Sequence, residues 1–147
     1  MQLTEHFSLE ELTASQTAAE RGIDNTPTPD IIANLTVTAQ GLEQVRALLG
    51  NNPIHISSGY RCPALNAAVR GVPDSAHLTG FAADIECPDF GSPTQIVEAL
   101  AASALQFDQA ITEGTWAHVS FAPPLRRETL TAHFATGEKT TYTAGVA

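Results

Sequence analysis

The stretch from Thr28 to Gly50 limits the fold more than any other part of the chain. Thr28 is placed to cap a helix, and Pro29 sits in its first turn, where the missing proline N–H costs nothing. Ile31, Ile32, Leu35, Ala39, Leu42, Val45 and Leu49 then recur at the helical period, and Gly50 ends the run. A helix this long with one apolar stripe must cover something. The sequence after it supplies a candidate: "PIHISS" reads as a strand over 54–58, "FAADIEC" as a strand near 81–87, and "FDQAIT" and "AHVSF" as two strands joined by the turn "EGTW". The stripe is expected to pack on that sheet.

Shorter signals fill in the rest. In "FSLEELTAS", Ser8 and Glu11 form a capping box that opens a short helix, and "DNTPTP" is a turn. Pro63 starts a helix through about Val69, Ser92 and Pro93 open another to about Ser103, and the tail "TLTAHFATGEKTTYTAGV" reads as a hairpin around Gly137. Helices first, then helices mixed with strands, then strands alone imply an α+β fold with a mainly antiparallel sheet. With 147 residues, no repeats and no long linker, a single domain over 1–147 is expected.

Charge and composition exclude some functions. The net charge is −9, and the seven basic residues are scattered, with Arg126–Arg127 the only pair. That argues against a nucleic-acid surface and against attachment to an anionic membrane. No stretch has the length of a membrane span. The start, "MQLTEHFSLEEL", lacks a basic leader and an apolar run, so synthesis in the cytoplasm without a signal peptide is expected. Two cysteines, Cys62 and Cys87, do not make a disulfide scaffold; they read as two thiols, or as a pair if the fold joins them.

"SAHLTGFAAD", residues 75–84, carries the chemistry. His77 lies on a loop, and Asp84 follows seven residues later on a strand. Gly80, Ala82 and Ala83 keep the intervening chain slim enough for both side chains to reach one ion. His118, in "TWAHVS", is on a later strand whose alternation puts it on one face with Ser120. Two imidazoles and one carboxylate are a common zinc donor set that leaves the fourth position for water. The same three residues are also compatible with ordinary core or surface positions.

"SSGYRCPALN", "SAHLTGFAAD" and "TWAHVS", in that order, resemble the zinc D-alanyl-D-alanine carboxypeptidase family of peptidoglycan peptidases, which includes L-alanyl-D-glutamate endolysins of phages. The matching stretches lie within residues 54–121, and the opening "HFSLEELTASQTAAERGIDNTP" is similar to small phage and prophage members. The resemblance implies a hedgehog/D,D-peptidase-like fold and one zinc ion per chain held by His77, Asp84 and His118. It also implies that Arg61 steadies substrate and the developing oxyanion, and that Ser75 helps hold substrate. A loop-capping role for the Ser75 hydroxyl remains equally open. Many family members have an acid three residues before the last histidine; here that position is Thr115. Glu113, five residues before His118, is the candidate general base, with Asp108 and Glu86 as alternatives. Trp116 is either a wall of the substrate cleft or the core tryptophan of the sheet. His6, His55 and His133 are expected outside the site, and Asn66 is a candidate brace for the Arg61 loop.

The implied activity is hydrolysis of a peptide bond next to a D-amino acid, either as a D-Ala-D-Ala carboxypeptidase or as an L-Ala-D-Glu endopeptidase. The implied partner is the peptidoglycan stem peptide, with no nucleic acid, no membrane insertion and a monomeric chain. The setting would be the cell wall, as a phage lysin or a virion-associated enzyme. A zinc-binding but inactive binding module, or a phage structural protein, is the alternative.

Overall fold

Each helix start in the molecule is made by a side chain that accepts from an otherwise unpaired backbone N–H. The computed structural model describes residues 1–134 and 139–146. Ser8 and Glu11 form the expected capping box over α1 (Leu9–Thr13). Thr28 caps α3 (Pro29–Leu48), Cys62 caps α4 (Pro63–Ala68), and Ser92 with Gln95 forms a second capping box over α5 (Pro93–Ala102). One helix lacks a strong apolar period and was not expected: α2 (Gln16–Arg21), capped by Ser15 and ended by Gly22 in the left-handed region. No helix among the described residues is long and apolar enough to cross a membrane.

The strands are β1 (His55–Ser58), β2 (Ala82–Glu86), β3 (Gln109–Glu113), β4 (Trp116–Ser120), β5 (Glu128–His133) and β6 (Thr141–Ala144). They form one six-stranded sheet in the order β1-β2-β4-β3-β5-β6. All neighbouring pairs are antiparallel except β3 with β5, which run parallel. The fold is therefore α+β with a mostly antiparallel sheet, as the sequence implies. The strand in "FDQAIT" starts later than its composition suggests: Phe107 and Asp108 precede it, and the Asp108 N–H reaches the Ser120 carbonyl at 2.7 Å. The tail does pair β5 with β6, but Gly137 lies outside the described residues.

Alternation gives the sheet two unlike faces. Ala83 pairs with Val119 and Ile85 with Ala117, and all four are fully buried in the core. Leu35, Ala39, Leu42, Val45 and Leu49 of the α3 stripe join the same core, together with Phe7, Leu12 and Phe121. On the opposite face, Asp84 pairs with His118 and Glu113 with Trp116. β1 is bulged between Ile56 and Ser58, and this sets Ser58 opposite Asp84.

Candidate metal centre and active-site cleft

His77 is carried on a short 3-10 helix, Ala76–Thr79, whose position is fixed from three sides. Ser75 caps it by accepting from the His77 N–H at 3.2 Å, Gly80 ends it at φ +83°, and the Arg61 N–H donates to the His77 carbonyl at 3.0 Å. From α3, Thr38 donates to the Gly80 carbonyl and Asn34 to the Thr79 carbonyl. The segment before Arg61 is held equally firmly. The Tyr60 N–H donates to the Leu12 carbonyl, and Asn25 bonds the Thr13 and Tyr60 carbonyls and the Cys62 N–H. At Gly59 a Cβ would collide with the Leu12 carbonyl oxygen, so only glycine fits.

His77 Nε2, Asp84 Oδ1 and His118 Nδ1 converge, all within 4.8 Å of one another, and all three residues are buried. Both imidazole nitrogens lie 3.2 Å from the same carboxylate oxygen, Asp84 Oδ1. Their fit to a metal follows from proton placement. His77 Nδ1 is 2.7 Å from the Gly59 carbonyl, which has no proton to give, so Nδ1 carries one and donates it. Burial pushes the His77 imidazole toward its neutral form, leaving an unprotonated Nε2. In the tautomer that the Gly59 bond selects, the neutral ring turns its Nε2 lone pair toward Asp84 Oδ1, and a cation between the two would satisfy both. Two nitrogens and one carboxylate oxygen suit zinc, and the Gly59 carbonyl would be the outer contact that fixes His77 as a ligand.

The centre lies in a cleft of ≈ 1130 Å³ lined by Arg61, Ser75, Glu113 and Trp116 as well as the three ligand candidates. Arg61 donates from Nε to Ser58 Oγ at 3.3 Å and from NH1 to Asn66 Oδ1 at 3.0 Å, and its NH2 stands 3.6 Å from Asp84 Oδ2. Asn66 in turn donates to the Val72 carbonyl at 3.0 Å, bracing the Arg61 loop as its place in the sequence suggests. Glu113 Oε1 is 4.0 Å from His118 Nδ1, while Oε2 accepts from Trp116 Nε1 at 3.1 Å. Burial first, then Asp84, raises the Glu113 pKa, against the opposing effects of His118, Trp116 and Arg61. Trp116 is half-buried, lines the cleft and packs against Phe134 with ring centroids 6.4 Å apart.

Other sequence candidates sit elsewhere or do other work. Glu86 ends β2 opposite His55 and does not line the cleft. His6 bonds Glu43, and His133 bonds Thr143. Cys62 and Cys87 are free thiols; no pair forms. Asp108 lines the cleft but is committed: Arg126 donates to it from Nε at 2.9 Å, from NH2 at 3.0 Å and from its backbone N–H at 3.1 Å. Arg126 therefore holds the Asp108 pKa below the usual range. We expect Asp108→Asn to cost about 1–3 kcal/mol, roughly 3–9 °C in Tm. Because the folded-state pKa is lowered, this contribution is complete above the ordinary carboxylate pKa of about 4 and is lost as pH falls through the lower folded value. Urea midpoints of the two proteins should then converge in acid; a constant gap would refute the ionic role.

Phe134 and Tyr142 line the cleft and were not anticipated. Alternation along "TLTAHF" and "TTYTA" does put them on single faces. The missing information was the parallel pairing of β5 with β3, which sets Leu130 beside Ile111 and so turns that face toward the centre.

A buried set of nitrogen and oxygen donors beside a carboxylate with a raised pKa is an arrangement that could hold a metal ion with a proton acceptor next to it. Comparison with known proteins makes the class specific. The chain belongs to the Peptidase M15 family, whose sequence pattern matches residues 5–120. Over 53 residues it is 38% identical to the zinc D-Ala-D-Ala carboxypeptidase of Streptomyces albus G, covering 36% of this chain and 21% of that protein. The chain thus spans about a fifth of the length of this curated relative. The family is one of peptidases, and this relative is a zinc carboxypeptidase.

Proposed function

We propose that the protein is a zinc-dependent peptidase that hydrolyses a peptide bond next to a D-amino acid in the stem peptide of peptidoglycan. The observation that carries this reading is the convergence of His77, Asp84 and His118 on one point, with Glu113 Oε1 4.0 Å from His118 Nδ1 in the same open cleft. The named relative supports the substrate class.

His77, Asp84 and His118 would hold one ion per chain. When bound, zinc polarises a scissile carbonyl and lowers the pKa of a water to about 7. Glu113 acts at Oε1, because Oε2 is occupied by the Trp116 indole. It takes the proton of the attacking water and gives it to the leaving amine, work suited to a carboxylate whose pKa burial has raised. Arg61 holds the oxyanion that develops on the carbonyl, or a terminal carboxylate. Its bonds to Ser58 and Asn66 fix the guanidinium before substrate arrives, so little reorganisation is needed. Ser75 lines the same cleft and offers its hydroxyl proton to substrate while its oxygen accepts from the His77 N–H. Trp116 forms a wall beside Glu113. The resemblance of the opening segment to small phage members favours a phage lysin or a virion-associated enzyme acting on the cell wall.

One observation favours a second reading. Thr115 occupies the position where many relatives carry an acid, which fits a zinc-binding module without turnover. The test of both is to incubate the zinc-loaded protein with purified peptidoglycan, with and without a chelator, and to read the products by mass spectrometry. Chelator-sensitive release of D-alanine would identify a carboxypeptidase, and new L-alanine-linked cleavage products an endopeptidase. Bound zinc with no product would favour the binding module.

A further inference from the structure

We propose that Arg70 forms a second anion-binding point in the cleft, one that takes a carboxylate of the substrate peptide away from the scissile bond; this rests on the peptidase reading above. Arg70 directly follows Val69, the C-cap of α4, with φ +59°. That position favours glycine, because a Cβ in the left-handed region crowds the backbone.

Among the described residues, three other non-glycines have positive φ: Asn51, Leu125 and Arg127. Asparagine tolerates the conformation, and Leu125 is half-buried in its turn. Arg127 is held by bonds to the Leu100, Ser103 and Leu105 carbonyls and stands over the Phe107 ring. Nothing comparable holds Arg70. It is exposed, and among the described residues its guanidinium makes no hydrogen bond or ion pair. Internal contacts therefore do not account for an arginine at a strained position, and an external ligand does.

Its location says which ligand. Arg70 lines the cleft, and its neighbour Gly71 packs so closely on the Arg61 site that a Cβ there would collide with Asn66 Oδ1 and crowd Arg61 NH1. Of seven basic residues against sixteen acidic ones, Arg61, Arg70 and Arg126 line this cleft. Arg61 is engaged by Ser58, Asn66 and Asp84, and Arg126 by Asp108. Asp74, on the same loop, also lines the cleft, and among the described residues no ion pair joins it to Arg70. Among the described residues, Arg70 is thus the uncommitted guanidinium of the cleft. Its planar donor fork matches a carboxylate. A stem peptide carries two candidates, its C-terminal carboxylate and the α-carboxylate of its D-glutamate.

The test uses three synthetic pentapeptides, L-Ala-γ-D-Glu-L-Lys-D-Ala-D-Ala with both carboxylates free, its C-terminal amide, and its D-glutamate α-amide. Their dissociation constants are measured by calorimetry in a zinc-loaded Glu113→Gln background, where nothing is cut. Adding Arg70→Gln should weaken the unmodified peptide about tenfold or more, which corresponds to about 1.4 kcal/mol. It should leave one of the two amides unaffected, and that amide identifies the carboxylate. Arg70→Gly should show the same loss with an unchanged or slightly raised Tm, because glycine relieves the left-handed backbone. Undiminished binding by Arg70→Gln, equal weakening of all three peptides, or no peptide binding in the parent background would each overturn the proposal. Hydrolysis by the protein with Glu113 intact is read separately. Arg70-dependent binding without any product would sink the peptidase reading alone, whereas product release with no dependence on Arg70 would sink this inference alone.

Discussion

Glu113→Gln is expected to lower turnover by about 10²–10⁴-fold and to leave the zinc content of the protein unchanged. Glutamine keeps the size of the side chain and an oxygen able to accept from Trp116 Nε1, so the wall of the cleft stays in place. It loses the one function assigned to the group, taking a proton at Oε1. Metal analysis and peptidoglycan hydrolysis on the same preparation separate the two effects. Near-full activity in the variant would mean that another group moves the proton.

His77→Ala is expected to remove metal and activity together. The imidazole is one of the three proposed donors, and its Nδ1–H bond to the Gly59 carbonyl fixes the orientation of Nε2. Losing only an outer hydrogen bond of this kind costs about 10–100-fold in metal affinity or activity, so losing the donor itself should cost more. Stoichiometric zinc should disappear from the purified variant, and product release should fall to background. Retention of a full equivalent of zinc with wild-type activity would show that the three residues are not the metal centre. The contrast with Glu113→Gln matters, because together the two variants separate holding the ion from moving the proton.

Much of this site can be read from the sequence because its parts are local. The caps at Ser8, Thr28 and Ser92 and the stripe from Leu35 to Leu49 are short-range patterns, and the structure keeps them. The seven-residue spacing of His77 and Asp84 is equally local. What the sequence hides is pairing across distance. Nothing near Glu128 says that β5 will run parallel to β3, yet this pairing turns Phe134 into the cleft and, with Tyr142 set opposite Ala132 on β6, brings Tyr142 there too. α2 was hidden for a different reason. Its six residues bury only Ala18, so no apolar period marks it, and the Ser15 cap and the Gly22 stop are its signals. Asp108 misleads in the opposite way. It has the right chemistry beside the right strand, but Arg126, eighteen residues later, has already claimed it. The left-handed backbone at Arg70 has no signature in its neighbours at all.

The two-faced sheet makes the ion an arbiter of strand pairing. Asp84 and His118 reach the cleft only because Ala83 and Val119 go to the core, so a slip of one residue in either strand would turn that strand's donor inward, away from the other, and push its core residue outside. Misregistered sheets could not bind zinc. Each tenfold rise in free zinc above its dissociation constant would therefore favour the correct pairing by about 1.4 kcal/mol. A metal held at this site would also proofread the protein's assembly.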